Sequence, residues 1–241
     1  LYKDVLSYSG IRKPDVVKKL LTALAYQVGS EVSYRELSNL LSVDVKTISS
    51  YINILEQAYI VYRLTAFSRN LRNEIKTNQK IYFYDNGILN MVKGNMNPIE
   101  IREDKGALWE NFLISERIKK NEYDQSIAQS YFWRTLQQKE VDYVEDLNGK
   151  IYGYEFKWNP KVKVKVPTAF TETYKAEFSV ITTENFRNFT GWISKKSQLN
   201  LQWVQIKALY FLSEPQWKKT VVNIISSIFT FQDKVLVDQR W

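Results

Sequence analysis

Apolar residues in the first third of the chain recur at helical spacing. After Pro14-Asp15, the positions Val16, Val17, Leu20, Leu21, Leu24 and Ala25 fall three and four apart, which predicts a helix that Gly29 ends as a C-cap. Ser33 and Glu36 form a capping box ahead of Leu37, Leu40 and Leu41. Ser42-Val43-Asp44 reads as a turn, with Asp44 the N-cap of a second helix whose apolar stripe is Val45, Ile48, Ile52 and Leu55. Two helices joined by so short a turn are helix-turn-helix grammar. The runs Tyr59 to Leu64 and Lys80 to Tyr84 read as strands joined by a long loop, and Asp85-Asn86-Gly87 closes the resulting wing. A polar connector, Asn95 to Lys105, precedes a helix from Lys105 to Lys120. Its first half is apolar almost all round (Ala107, Leu108, Trp109, Phe112, Leu113, Ile114), so it is expected to be deeply buried. Tyr131 to Thr135 is a strand, Gln138 to Trp158 a hairpin, Pro167 to Tyr174 a short helix or turn, and Phe178 to Thr182 a further strand. The whole is an α/β chain: a winged helix, then helix, three strands, helix and strand around one main sheet.

The hairpin carries the candidate chemistry. Asn148-Gly149 suits a two-residue type I′ turn, because both residues tolerate positive φ. Leu147 then faces Lys150, Asp142 falls opposite Glu155, and Glu140 falls opposite Lys157. Period-two alternation puts these four charged residues on one face. Like charges directly opposed destabilise a ladder. A divalent cation reconciles two such carboxylates, and Lys157 beside them suits a water or a phosphate oxygen, as a phosphodiester-cleaving site requires. The competing reading is a solvated sheet face, with Glu140 and Lys157 a surface ion pair and Asp142 simply wet. Glu110, an acid in the apolar half of its helix, either approaches this site or serves the helix N-terminus.

Charge adds an anionic partner to the picture. The 241 residues carry a net charge of +8, with a pI near 9.3, which favours nucleic acid. A DNA-reading role places Lys46, Thr47 and Ser50 in a major groove and the wing residues Arg69, Arg72 and Lys76 on phosphates. The alternative is a winged helix used for protein packing. Lys161, Lys163 and Lys165 suit a phosphate-contacting edge or, equally, a protected sheet edge. The chain has neither Cys nor His, which excludes the usual zinc sites, Ser-His-Asp and Cys-His catalysis, and disulfides. No phosphate-binding G-x-x-x-x-G-K-[ST] occurs, so no ATPase activity is expected of this chain alone. With no signal peptide and no apolar run long enough to span a bilayer, a cytoplasmic location away from membranes is expected. The chain begins at Leu1 rather than Met, so more sequence upstream is expected.

Several blocks together resemble a known class: SYRELSNLLSVDVKTISSYINILEQAYIVYRL, NLRNEIKTNQKIYFYDNGI, GALWENFLISERIK, YFWRT and EVDY…YEFKWNPK. They are similar to the C-terminal half of prokaryotic predicted ATPases that carry an AAA+ domain, a winged helix and a DUF4143 domain, the last resembling the PD-(D/E)xK nuclease superfamily. The resemblance covers Leu1 to about Asn188 and implies three parts. These are a helical lead-in and winged helix over 1–94, a restriction-endonuclease-like αβββαβ domain over 95–190, and a tail over 191–241 without a motif, either an added helix or strands or a non-native extension. By position, Glu110 matches the acid of the first core helix, Asp142 the metal-binding aspartate, and Glu155-Phe156-Lys157 the E-x-K element. The resemblance therefore implies Mg²⁺ on Asp142 and Glu155, a Lys157 that positions water or stabilises phosphate, and DNA and an AAA+ ATPase domain as partners. Nuclease-like folds also serve as non-catalytic DNA-binding or protein-interaction modules, so activity does not follow from the fold alone.

Overall fold

The computed structural model describes residues 13–68, 79–135, 137 and 139–191. The expected wing residues Arg69, Arg72 and Lys76 lie outside the described residues, as does the tail beyond residue 191. The elements are α1 (Pro14–Tyr26), α2 (Tyr34–Leu41), α3 (Val45–Gln57), β1 (Val61–Ala66), β2 (Gln79–Phe83), α4 (Asn86–Lys93), a 3-10 turn (Ile99–Ile101), α5 (Lys105–Tyr123), β3 (Gln129–Arg134), β4 (Glu140–Leu147), β5 (Lys150–Lys157), α6 (Thr168–Tyr174), β6 (Glu177–Thr182) and α7 (Phe186–Thr190).

The helical apolar spacing is buried where it was expected in α1, through Val17, Leu20, Leu21, Leu24 and Ala25. Ser33 Oγ accepts a hydrogen bond from the Glu36 amide at 3.3 Å and starts α2. Asp44 caps α3, accepting from the Thr47 amide at 2.8 Å and from its hydroxyl at 2.7 Å. α3 buries Ile48, Tyr51, Ile52, Ile54 and Leu55. Leu40 and Val45 depart from the expected stripes, at 66% and 43% exposure. Both lie at the corner between α2 and α3, where the chain turns away from the core. Asp85-Asn86-Gly87 is not a simple turn. Asp85 accepts from the Ile88 amide at 3.0 Å and caps α4, a helix the apolar spacing did not announce.

The six strands form one mixed sheet in the order β2-β1-β3-β4-β5-β6. β1 and β3 run parallel, as do β5 and β6, and the other neighbours are antiparallel. The β1–β2 pair thus continues into the strands that follow α5, across Thr65↔Tyr131 and Ala66↔Phe132. An isolated bridge, Glu31↔Lys80, ties the segment before α2 to β2. The Asn148-Gly149 turn has φ of +55° and +84°, as a type I′ turn demands, and Leu147 faces Lys150.

Side chains leave the sheet on both faces. On one, Phe67, Trp133, Val141, Val144 and Ile151 pack with Phe170 of α6. On the other, Phe189 of α7 lies against Tyr143, Tyr154 and Phe156, with ring centroids 4.8–6.0 Å away. The Arg117 guanidinium of α5 sits over the Phe189 ring at 5.0 Å and donates to Glu145 Oε1 and Oε2 at 2.7 and 2.6 Å. That bidentate pair, with Asn121 also donating to Glu145 at 2.7 Å, fixes α5 across the sheet.

Candidate functional site

The register of β4 changes where the candidate aspartate sits. Tyr131 pairs with Val144, but Trp133 pairs with Val141. One residue of β3 is therefore spanned by two of β4, Asp142 and Tyr143, which is a β-bulge. Its effect is visible in the packing. Val141 and Val144, three apart, both join the Phe170 cluster. Tyr143 instead meets Phe189, and the charged neighbours of Asp142 include Glu110 of α5. Strict alternation fails here, and the failure aims the carboxylate.

Beside the bulge the sheet opens. Pairing of β4 with β5 stops at Tyr143↔Tyr154, whereas β4 stays on β3 to Glu140 and β5 stays on β6 to Lys157. The expected Asp142–Glu155 pair is the first one beyond the last rung. In the gap the Phe156 amide donates to Asp142 Oδ2 at 2.7 Å, so a side chain satisfies an amide that the ladder no longer reaches. Lys157 Nζ donates to Glu155 Oε1 at 2.7 Å. The expected Glu140–Lys157 pair does not form, because Glu140 is taken by a lysine from another strand.

That lysine is Lys80 of β2. It is 2% exposed, makes a close ion pair with Glu140, and lies 3.5 Å from Glu110 Oε1. Tyr82, two residues along the same strand, donates to Glu110 Oε1 at 2.5 Å. Arg134 Nη1 lies 3.3 Å from Glu31, and its Nε 3.9 Å from Glu140. Among the described residues, five carboxyl groups (Glu31, Glu110, Glu140, Asp142, Glu155) thus share three cations (Lys80, Arg134, Lys157), two more acids than bases. The acid groups respond accordingly. Burial pushes the Asp142 carboxyl well above the ordinary range, and the charges of Glu110 and Glu155 push it further. Burial also raises Glu110, against the pull of Lys80 and Tyr82. Burial disfavours the Lys157 ammonium, but Glu155, Asp142 and Glu110 hold its pKa above the usual lysine value. Lys80 behaves likewise: burial opposes its charge, and Glu110 and Glu140 retain it.

Sequence reasoning singled out Asp142, Glu155, Lys157 and Glu110, and the structure brings them together. It missed Lys80, Tyr82 and Arg134. A lysine in an otherwise apolar strand, KIYFY, is the one signal that could have found Lys80, since a buried ammonium requires carboxylates nearby. Of the candidate DNA contacts, Lys46 and Ser50 are exposed on α3, while the Thr47 hydroxyl is spent on Asp44. Further along α3, Arg63 of β1 binds Glu56 and donates to Asn53 Oδ1 at 2.9 Å.

As metal donors, Asp142 and Glu155 offer hard carboxylate oxygens. Among the described residues no three Asp, Glu, His or Cys side chains form a metal-holding group by themselves. Mg²⁺ is commonly held by only one or two carboxylates, with waters and substrate phosphate completing its shell, so the donor pair fits that ion.

Residues 105–200 match the family model described as a domain of unknown function, DUF4143, and residues 1–98 match a second domain of unknown function, DUF8612. The chain is 28% identical over 183 residues to an uncharacterized protein of Mycobacterium tuberculosis and equally to one of Mycobacterium bovis, covering 73% of this chain and 40% of each relative. It is 25% identical over 150 residues to an uncharacterized protein of Haemophilus influenzae, covering 58% of this chain and 34% of that one. The chain thus spans about two fifths or less of the length of these relatives. No solved structure matches it. No helix among the described residues is long and apolar enough to cross a membrane.

Proposed function

We propose that this chain is a DNA-associated module with a divalent-metal-dependent, nuclease-like phosphodiesterase site at the opening between β4 and β5. The observation that carries the reading is the pair Asp142 and Glu155, with Lys157 beside them, in a cluster with two carboxylates in excess. The order α5-β3-β4-β5-α6-β6 supports a restriction-endonuclease-like core, and the α1-α2-α3-β1-β2 order with the Glu31↔Lys80 bridge supports a winged helix ahead of it.

Asp142 and Glu155 would hold Mg²⁺, and the Phe156 carbonyl would offer a further oxygen. When bound, the ion supplies Lewis-acid stabilisation of the charge that develops on a phosphodiester. The chain's own groups do the rest. The Phe156 amide fixes the Asp142 rotamer. Lys157, kept charged by its acidic neighbours, donates hydrogen bonds to a phosphate oxygen or orients the attacking water. Glu110 is held by Lys80 and Tyr82 and acts on the site electrostatically. Lys46 and Ser50 of α3 contact the DNA, and Arg69, Arg72 and Lys76, outside the described residues, add phosphate contacts. An AAA+ ATPase domain is the protein partner this reading expects, in keeping with relatives much longer than the chain.

The test is incubation of the purified chain with supercoiled and linear DNA across Mg²⁺ and Mn²⁺ concentrations, beside Asp142→Ala and Lys157→Ala. Cleavage by the parent that both substitutions abolish, with the fold intact, is the expected result. Metal-independent DNA retention without cleavage would instead make the chain a binding module. The partial neutralisation of the acids by Lys80 and Arg134 is what favours that second reading.

A further inference from the structure

A pocket of about 360 Å³ is lined by residues of α4, α5 and the segments before α5 and after β5. Its apolar walls include Trp109, Phe112 and Trp158, and its polar walls Asn86, Asn90, Asn97 and Arg102. Trp109 meets Trp158 edge to face at 5.5 Å and stacks on Phe112 at 5.6 Å. Aromatic walls with a few placed amides, at this volume, describe a site for a small planar molecule.

Two details narrow the occupant. Trp109 Nε1 and Asn90 Oδ1 are buried and have no hydrogen-bond partner among the described residues. A buried indole N–H ordinarily finds an acceptor, so an unmatched donor and an unmatched acceptor in the lining of one pocket call for a ligand with the complementary pair. The Asn86 amide is by contrast engaged at both ends, donating to the Leu108 carbonyl at 3.0 Å and accepting from Asn111 at 2.8 Å. Second, the two tryptophans are chain neighbours of two site residues. Trp109 precedes Glu110, and Trp158 follows Lys157. The pocket and the carboxylate cluster thus draw on the same two stretches of chain, α5 and the end of β5 with the residue after it.

We infer that this pocket binds a nucleobase of a single-stranded or locally unpaired nucleic acid, stacked on Trp158 and hydrogen-bonded in the wall formed by Trp109 and Asn90. A base edge presents both donors and acceptors, and its face suits an indole. Trp158 is 38% exposed, so it can adjust as a base enters, as interface side chains commonly do. The inference rests on the proposal that nucleic acid is the substrate, and it adds which part of the substrate is read.

The experiment compares a fluorescent single-stranded 12-mer of thymidines with an abasic 12-mer of the same backbone charge, by anisotropy in EDTA so that no cleavage intervenes. Stacking of one base predicts tighter binding of the base-bearing strand by about 5- to 140-fold. Trp158→Ala is expected to collapse that ratio towards one, and Trp158→Phe to restore part of it. Equal affinity of the parent for the two strands, no binding of either, or an undiminished ratio in Trp158→Ala would overturn the inference. Asp142→Ala separates the two claims. Metal-dependent cleavage without base discrimination would sink the pocket and spare the nuclease reading, and discrimination without cleavage would do the reverse.

Discussion

Lys80 holds a positive charge almost out of reach of water, and its partners show why that is tolerated. Glu110 and Glu140 flank it, one from a helix and one from a strand far along the chain. Removing one member of a buried ion pair leaves the other uncompensated, at a cost of about 3–5 kcal/mol. Lys80→Met is therefore expected to lower unfolding stability by that amount in a denaturant titration, and Lys80→Met with Glu140→Gln to recover part of it. A loss below about 1 kcal/mol in the single variant would mean that Lys80 is not the cation the cluster depends on. Asp142 has the opposite balance. Its folded pKa is raised by burial and by Glu110 and Glu155, so the native state binds its proton more tightly than the unfolded chain does. Its stabilising contribution is full below the ordinary aspartate value of 3.8 and is lost as pH rises through the raised folded value. Without metal, Asp142→Asn is expected to stabilise the protein at neutral pH by about 0.5–2 kcal/mol, the usual size of such a gain, and to flatten the fall of stability with pH. A destabilised variant with an unchanged pH profile would contradict this. Asp142, Glu155 and Lys157 were legible in the sequence because a two-residue turn sets their register. Lys80 was not, since no local spacing reports a contact between β2 and α5.

The elements repeat that division. The β4–β5 hairpin was readable in register from Leu147↔Lys150 to Tyr143↔Tyr154 because Asn148-Gly149 favours a two-residue turn, but not where the pairing ends. α3 was readable through its Asp44 cap. α4 was not, because Asp-Asn-Gly is equally a turn and an N-cap start, and only the bond from the Ile88 amide decides. The β4 bulge was also hidden: period-two counting assumes an unbroken ladder, and the Tyr131/Trp133 register shift breaks it at Asp142. The join of β1 to β3 is a long-range pairing that no hydrophobic pattern encodes. Packing of α6 on the sheet gives an element-scale test. A Cβ on Gly153 would lie 2.6 Å from Phe170 Cε1, so the helix approaches β5 across a residue with no side chain. Gly153→Val is expected to destabilise by about 1–3 kcal/mol through overpacking, read as a lowered melting temperature. Gly153→Val with Phe170→Leu should lose less than the two single changes summed. Strict additivity would show that this contact does not set the position of α6.

Across the described residues, the sheet gathers the cluster from six places: the segment before α2, β2, α5, β3, β4 and β5. A basic chain thus encloses an acidic site. The net charge of +8 suits a polyanionic partner, while the local excess of two carboxylates suits a small hard cation. The two demands are met together if the ion lies between the acids and a phosphate. Ligand linkage tests such an ion site without any assay of turnover, because a ligand that binds only the native state raises the melting temperature with its concentration. The measurement is the melting temperature of the parent and of Asp142→Asn across a titration of Mn²⁺ or Mg²⁺ at constant ionic strength. A concentration-dependent rise in the parent, lost or sharply reduced in Asp142→Asn, is the expected result. No rise in the parent, or the same rise in both proteins, would contradict it.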